Sequence, residues 1–256
     1  HHLDAMAGLS VESGMYETLQ AMGDDFPIDD IRTLNYAGLI VAKSTTSNRE
    51  EETLVSTFFR LNYNFKDKYI LSGVFRADGS SMFGSGKRWG SFPSVSAAWR
   101  LKEEPFLRNV SWLSDLKLRA SYGVSGNNAI TKYSYITKVN KVLYPMDGDV
   151  LDGYAPAATL GNSEIGWEQT NSGNIGISAG FLHNRIQLNV DVYRSKTQAL
   201  LLQVPTPYIS GYANEWANIG KMRNQGVEIE LNTVNIERKN FVWTMTANFS
   251  ASSTHL

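Results

Sequence analysis

The chain has 256 residues, with 24 Lys and Arg against 25 Asp and Glu, and its formal net charge of −1 gives no sign of a nucleic-acid partner. Hydrophobic residues at 42% suffice to build a core, and the lack of cysteine excludes thiolate metal sites, thiol nucleophiles and disulfides. No apolar run approaches the roughly 18 residues of a spanning helix, so a helical membrane protein is excluded; a barrel is not, because only every second strand residue meets lipid.

In chain order, period-2 alternation predicts strands over residues 2–12, 51–64, 69–77, 93–102, 115–125, 167–180, 185–197, 226–234 and 241–250. In the fifth, Leu116, Leu118, Ala120 and Tyr122 share one face against Lys117, Arg119, Ser121 and Gly123. In the seventh, Ile186, Leu188, Val190 and Val192 oppose Gln187, Asn189, Asp191 and Tyr193. Strand lengths of roughly 9 to 14 residues sit near the ~9–11 that a tilted strand needs to cross hydrocarbon, and above the ~5–6 of a soluble sandwich.

The connections follow a rhythm: long over 13–50, short over 65–68, long over 78–92, medium over 103–114, long over 126–165, short over 181–185, long over 198–225 and short over 235–239. Alternate connections of an antiparallel meander fall on opposite rims, so one rim carries tight turns and the other elaborate loops, as in outer-membrane barrels. Tyr63, Tyr69, Trp112 and Trp243 lie near the short-turn rim, and Tyr122, Trp167 and Tyr193 near the other, which predicts two interfacial aromatic girdles.

Two motifs are set aside. Asp147-Gly148-Asp149 with Asp152-Gly153 is rich in oxygen ligands but lacks the EF-hand spacing and its closing glutamate. The GSGKRWG run from Gly84 to Gly90 lacks Walker spacing and a following helix, and reads as a β-loop tip. No metal site and no cofactor are expected.

Longer stretches carry a resemblance. YNFKDKYILSGVFRADGSSMFG (63–84), RWGSFPSVSAAWRLKEEPFL (88–107), LSDLKLRASYGVSGN (113–127), GWEQTNSGNIGISAGFLHNRIQLNVDVYRSKTQALLL (166–202) and NIGKMRNQGVEIEL (218–231) resemble, in order, the barrel of SusC/RagA-type TonB-linked outer-membrane proteins. Ser163 departs from the family's usual proline before the Trp167-Glu168 pair. The resemblance implies an all-β, antiparallel up-and-down transmembrane β-barrel, of which residues 1–256 would supply about nine strands out of roughly 22. The plug domain, the TonB-contacting segment and a terminal aromatic do not match here, so the chain is expected to be a middle-to-late part of such a barrel.

The resemblance further implies active import of a glycan or peptide across the outer membrane of a Bacteroidetes-like Gram-negative bacterium, with a SusD-like surface lipoprotein as lid and the TonB complex as energy source. Two alternatives stay open: an outer-membrane barrel enzyme, and a structural or adhesin barrel. The first finds no convergent acid, base and nucleophile, since His183 lies in a short turn and His1, His2 and His255 at the ends, so no catalytic residue is assigned. Charged residues on the polar strand faces, Arg60, Arg76, Arg100, Lys117, Arg119, Asp191, Glu228 and Glu230, are expected to face the lumen and contact the plug, because a charge facing lipid costs ~2–4 kcal/mol at midplane. Trp89, Tyr144, Tyr154, Tyr208, Tyr212 and Trp216, in the late long loops, are the candidate ligand-stacking residues.

Overall fold

Alternation over nine segments becomes nine strands of one antiparallel sheet in a computed structural model that describes residues 1–30, 33–40, 46–146 and 149–256. The strands are β1 (His2–Gln20), β2 (Gly23–Asp24), β3 (Leu39–Ile40), β4 (Thr46–Phe65), β5 (Tyr69–Ser80), β6 (Trp89–Arg100), β7 (Leu113–Asn127) and β8 (Val139–Met146). They continue as β9 (Asp149–Pro156), β10 (Thr159–Leu160), β11 (Glu168–Phe181), β12 (Ile186–Gln198), β13 (Leu201–Pro205), β14 (Asn214–Asn218), β15 (Lys221–Arg238) and β16 (Phe241–His255). Among the described residues the one α-helical segment is a single turn, α1 (Pro105–Arg108).

The large sheet runs β1-β4-β5-β6-β7-β11-β12-β15-β16, every neighbour antiparallel, so the main strands pass up and down in sequence order. The smaller strands fold the long connections into a β2–β3 ribbon, a β8–β9 hairpin and a three-stranded β10-β14-β13 sheet.

Several strands run past their expected ends. β1 continues to Gln20 and β4 begins at Thr46, because residues 12–20 and 46–54 keep pairing although the Glu50-Glu51-Glu52 run ends the apolar alternation. Ladder hydrogen bonds need only a neighbouring backbone, so pairing outlasts the side-chain pattern. β15 likewise spans Lys221–Arg238 rather than 226–234.

The tight rim is built without glycine. Lys66 and Asp67 both take φ 54°, the positive-φ pair that suits the right-handed twist of the flanking strands, and Lys68 N–H donates to the Phe65 carbonyl at 3.1 Å. Leu182, His183 and Asn184 turn with φ of 52°, 58° and 62°, and the Asn184 N–H donates to Ser114 Oγ at 3.0 Å.

Register fixes the two faces. Leu61 pairs Gly73, Phe59 pairs Phe75, Ala97 pairs Ala120 and Val192 pairs Val227 on an apolar outer face. Asn62 pairs Ser72, Ser96 pairs Ser121 and Asn232 pairs Thr246 on a polar inner face. Large apolar side chains of the outer face, such as Phe59, Phe75, Ile175 and Phe249, are exposed on strand after strand, a contiguous apolar surface of the kind that water-facing proteins rarely present.

Rim aromatics divide. Trp243 and Tyr122 are exposed on the outer face as girdle positions require, and Trp112 stacks on Phe181 with centroids 5.9 Å apart. Tyr193 and Trp167 are corrections: Tyr193 lies on the inner face over Gly226, and Trp167 packs against Phe83 and Phe92 at 5.4 and 5.2 Å.

At the short-turn rim, Glu104 of the β6–β7 connection joins β5, β6 and the β4–β5 turn. It is 8% exposed and accepts from the Tyr69 hydroxyl at 2.7 Å, the Trp99 indole N–H at 3.1 Å and the Lys68 ammonium at 3.1 Å. These donors, Tyr69 first, hold its carboxyl below the usual carboxylate range. A depressed folded pKa contributes stability that is complete above the unfolded value and lost as pH falls through the folded one. Thermal melts of the intact protein should therefore show a lower midpoint as pH drops below about 4.5, and Glu104→Gln should flatten that dependence while lowering the midpoint at neutral pH. A wild-type curve parallel to that of Glu104→Gln across the window would refute the assignment.

β1 and β16 do not pair with each other, so the sheet of this chain is open at both edges. Unpaired backbone groups in hydrocarbon cost several kcal/mol each. We predict that the 256-residue chain alone forms no stable monomeric pore; uniform, long-lived single-channel conductance from it would contradict this.

Candidate functional site

The eight charged candidates all fall on the inner face, as their register partners show: Arg60 with Val74, Arg76 with Phe58, Arg100 with Lys117, Asp191 with Glu228 and Glu230 with Asn189, with Arg119 and Asp191 both opposite Gly176. The last arrangement is specific. Gly176 of β11 lies between Arg119 on β7 and Asp191 on β12, whose Nη2 and Oδ2 meet at 2.9 Å across the intervening strand. A Cβ on Gly176 would stand 2.3 Å from Asp191 Oδ1 and 3.0 Å from Arg119 Nη2, so the missing side chain is what lets the pair form.

Other members have partners closer in sequence. Arg76 donates to Asp78 and to Ser56 Oγ, each at 2.8 Å; Arg100 lies 3.5 Å from Glu103; Glu230 accepts from Asn232 at 2.6 Å. Arg60, Lys117 and Glu228 make no side-chain hydrogen bond or ion pair among the described residues. Lys117 sits directly opposite Arg100, and Glu228 directly opposite Asp191. Like charges so placed are destabilising, and a docked body that brought an acid to the Arg100–Lys117 pair and a base to the Asp191–Glu228 pair would neutralise them.

The long-connection rim has a core of its own. Met82, Phe83, Ile130, Ile165 and Leu201 are buried together, with Tyr135, Trp167 and Trp216 packed against them. Phe83 and Ile165 are wholly inaccessible, and neither was singled out from the sequence, where Phe83 follows Met82 and Ile165 stands between Glu164 and Gly166 in polar loops. Asn218 clamps the cluster: its Oδ1 accepts the Gly166 N–H at 2.7 Å and its Nδ2 donates to Gly166 and Ala199 carbonyls at 2.9 and 3.0 Å. Asn162 Nδ2 donates to the Trp216 carbonyl at 2.8 Å.

From this cap, residues 128–138 reach across the mouth. Asn128 donates to Ser80 Oγ at 3.0 Å, the Tyr133 hydroxyl accepts the Glu51 N–H at 3.0 Å, and Lys132 lies between Glu52 (3.5 Å), Glu50 (3.8 Å) and the Tyr16 ring, 3.4 Å below it. Tyr16, Glu50 and Glu52 share the inner face, so a segment leaving β7 is tied to β4 and β1. Tyr133 takes φ 61°, a left-handed conformation costing of order 1–3 kcal/mol in a non-glycine residue, which these ties hold in place.

The six aromatic candidates do not form one surface. Trp89 opens β6 on the outer face, its ring covering Gly79, so it faces away from the mouth; this corrects its assignment to a ligand-contacting loop. Tyr144 of β8 and Tyr154 of β9 are exposed on opposite faces of their hairpin. Tyr208 is fully exposed on a 3₁₀ turn, and Tyr212 is half-buried. Trp216 is half-buried, with one side on the cap core and another lining a cavity of about 200 Å³ shared with Lys132, Tyr133, Lys138 and Gln203. That volume is below the ~300–1,000 Å³ of a small-molecule site, enough for one side chain or sugar of a longer ligand. Asp147 and Gly148 lie outside the described residues, while Asp152 is paired with Lys141 at 2.8 Å. The described residues hold no group of three metal-ligating side chains.

Comparison with known proteins fits this architecture. The family model for TonB dependent receptor-like β-barrels matches residues 3–255. A TonB-dependent receptor of Formosa agariphila is 34% identical over 98% of this chain and 24% of its own length. TonB-dependent receptor SusC of Bacteroides thetaiotaomicron is 36% identical over 81% of the chain and 21% of its own length. A structure of the RagAB peptide importer in its closed-closed state superposes with TM-score 0.87 at 30% identity, covering 98% of this chain and 28% of that one. The chain thus spans about a quarter of these relatives. The siderophore receptor PirA of Acinetobacter baumannii, at 12% identity and TM-score 0.54, shares the fold.

If Gly176 exists to admit the Arg119–Asp191 pair, Gly176→Val should cost the intact protein about 1 kcal/mol or less, since the pair is partly solvated, and adding Asp191→Asn should cost little more. Two fully additive penalties in a double-mutant cycle would show that the glycine and the ion pair act independently.

Proposed function

The chain belongs to the TonB dependent receptor-like β-barrel family, and on that premise we propose that it forms part of the barrel wall of an outer-membrane importer that takes up glycans or peptides by active transport. The rest of the parent protein supplies a plug and a TonB-contacting segment, and a SusD-like surface lipoprotein closes the mouth from outside. The observation that carries this reading is the inner face, where charges of both signs gather and Arg60, Lys117 and Glu228 lack a side-chain partner among the described residues. A purely structural barrel has no use for unneutralised charge of both signs on its inner wall, whereas a plug that must be pulled aside needs hydrogen-bonded, ion-paired contacts that exchange readily with water. Likeness to SusC and to the RagAB peptide importer supports nutrient import and leaves both substrate classes in play.

At the mouth, Trp216 and the segment 128–138 are the contact points for substrate, the indole face taking a sugar ring or a peptide side chain. Tyr144, Tyr154 and Tyr208 are better placed for the lid, because they stand out from the cap.

Two measurements test this. Cysteines at Lys117 and Glu228 in the intact receptor should each cross-link to cysteines scanned along the plug; no cross-link at either site sinks the plug-docking role. Trp216→Leu keeps an apolar contact with the cap core but removes the flat ring. It should weaken uptake of the cognate nutrient two- to tenfold, the ~0.5–1.5 kcal/mol of a ring contact, with lipoprotein association intact. Loss of association instead would assign Trp216 to the lid interface.

A further inference from the structure

The outer face of the sheet has an uneven charge distribution that neither transport nor plug docking explains. On β5, β6, β7, β11, β12, β15 and β16, no Asp or Glu occupies an outer-face position. Toward the long-connection ends of β12 and β15, however, that face carries Arg194, Lys196, Lys221 and Arg223. All four are exposed, and none makes a side-chain hydrogen bond or ion pair among the described residues. Lys196 and Arg223 are directly opposite each other, and His255 on β16 is opposite Arg223. Side chains directly opposite stand about 5 Å apart at Cβ, and their mutual repulsion destabilises the sheet unless an anion lies between them.

Next to this patch, on the same face, is an open groove of about 950 Å³ lined by small and branched apolar residues, among them Ala97, Ala120, Ile175 and Val192, with Arg194 and Gln225 also on its lining. Apolar groove and cationic patch therefore meet at Arg194. Arg194, Lys196, Lys221 and Arg223 follow the last apolar outer-face pair of β12 and β15, Val192 with Val227, at the level where a bilayer's apolar layer gives way to headgroups.

We propose that this is a binding site for a phosphorylated lipid of the outer leaflet, an acyl chain lying in the groove and the headgroup phosphate held between Lys196 and Arg223, with Arg194 and Lys221 flanking. Guanidinium groups present paired N–H donors that match phosphate oxygens, and ammonium groups add charge without geometric demand. A bound lipid would offset the repulsion between β12 and β15 and mortar the barrel into its leaflet. The inference rests on the reading of the chain as a wall of an outer-membrane barrel.

Native mass spectrometry of the purified, delipidated intact receptor with lipid A, a diphosphorylated and multiply acylated glucosamine lipid, should show one tightly retained molecule. Its affinity should fall at least tenfold in Lys196→Gln/Arg223→Gln, a variant that removes a repulsive pair and keeps the fold. Ala120→Phe, which fills the groove, should weaken it as well, and inorganic phosphate in excess should not displace it. Unchanged lipid binding in the double variant overturns the proposal. So does displacement by inorganic phosphate, which would make the patch a free-anion site, and so does loss of surface-lipoprotein association without loss of lipid, which would make it a protein interface. Membrane fractionation checks the underlying reading separately: a receptor outside the outer membrane would refute that reading and leave the binding measurement standing.

Discussion

Everything in this molecule depends on the antiparallel backbone ladder. In hydrocarbon no water is available to satisfy an N–H or a C=O, so a spanning segment must bond either to itself or to its neighbours. Nine strands do so here with tight turns between alternate pairs, and the ladder fixes which residues share a face. Once register is set, every second side chain is committed to one medium or the other, and a slip of one residue would exchange Val192 for Asp191 on the outer face. The tight rim supports that register with rigid local geometry: positive-φ turns at Lys66-Asp67 and Leu182-His183-Asn184, and a connector tied down through Glu104.

The two faces then follow different electrostatic rules. On the inner face charges survive in numbers because water or protein solvates them, and Gly176 gives up its side chain so that two of them can reach across a strand. The outer face excludes acids altogether on seven strands, and four of its cations gather at the long-connection ends of β12 and β15, with Arg238 opposite Phe241 at the other rim. One sheet thus carries charged and polar side chains on one side and an apolar surface with a charged border on the other.

Long connections form a second folded layer. Each supplies one or two apolar residues too few to fold alone, and together Met82, Phe83, Ile130, Ile165 and Leu201 close a core under the cap. Residues 128–138 are held across the mouth by Lys132 and Tyr133, so the opening is narrowed by a segment braced at both ends. Trp216 belongs to both layers, with one side on the cap core and another on a small cavity.

How much was legible in the sequence follows from the range of each interaction. Strand number, strand order, the two rims and the inner-face charges could all be read, because period-2 alternation is a local pattern and Arg119 or Glu228 declares its face by its neighbours i ± 2. Strand ends could not, since β1 and β4 keep pairing where alternation stops. Trp167 reads as a rim aromatic and Trp89 as a loop residue, and only the fold put the first into the cap and the second at the outward-facing start of β6. The sequence by itself therefore determined the architecture, through side-chain periodicity that any short window displays. Tertiary structure alone decided which residues from distant loops share a core, which charges neutralise each other across an intervening strand, and where cations of neighbouring strands converge, because those contacts join positions tens of residues apart whose spacing carries no periodic signal.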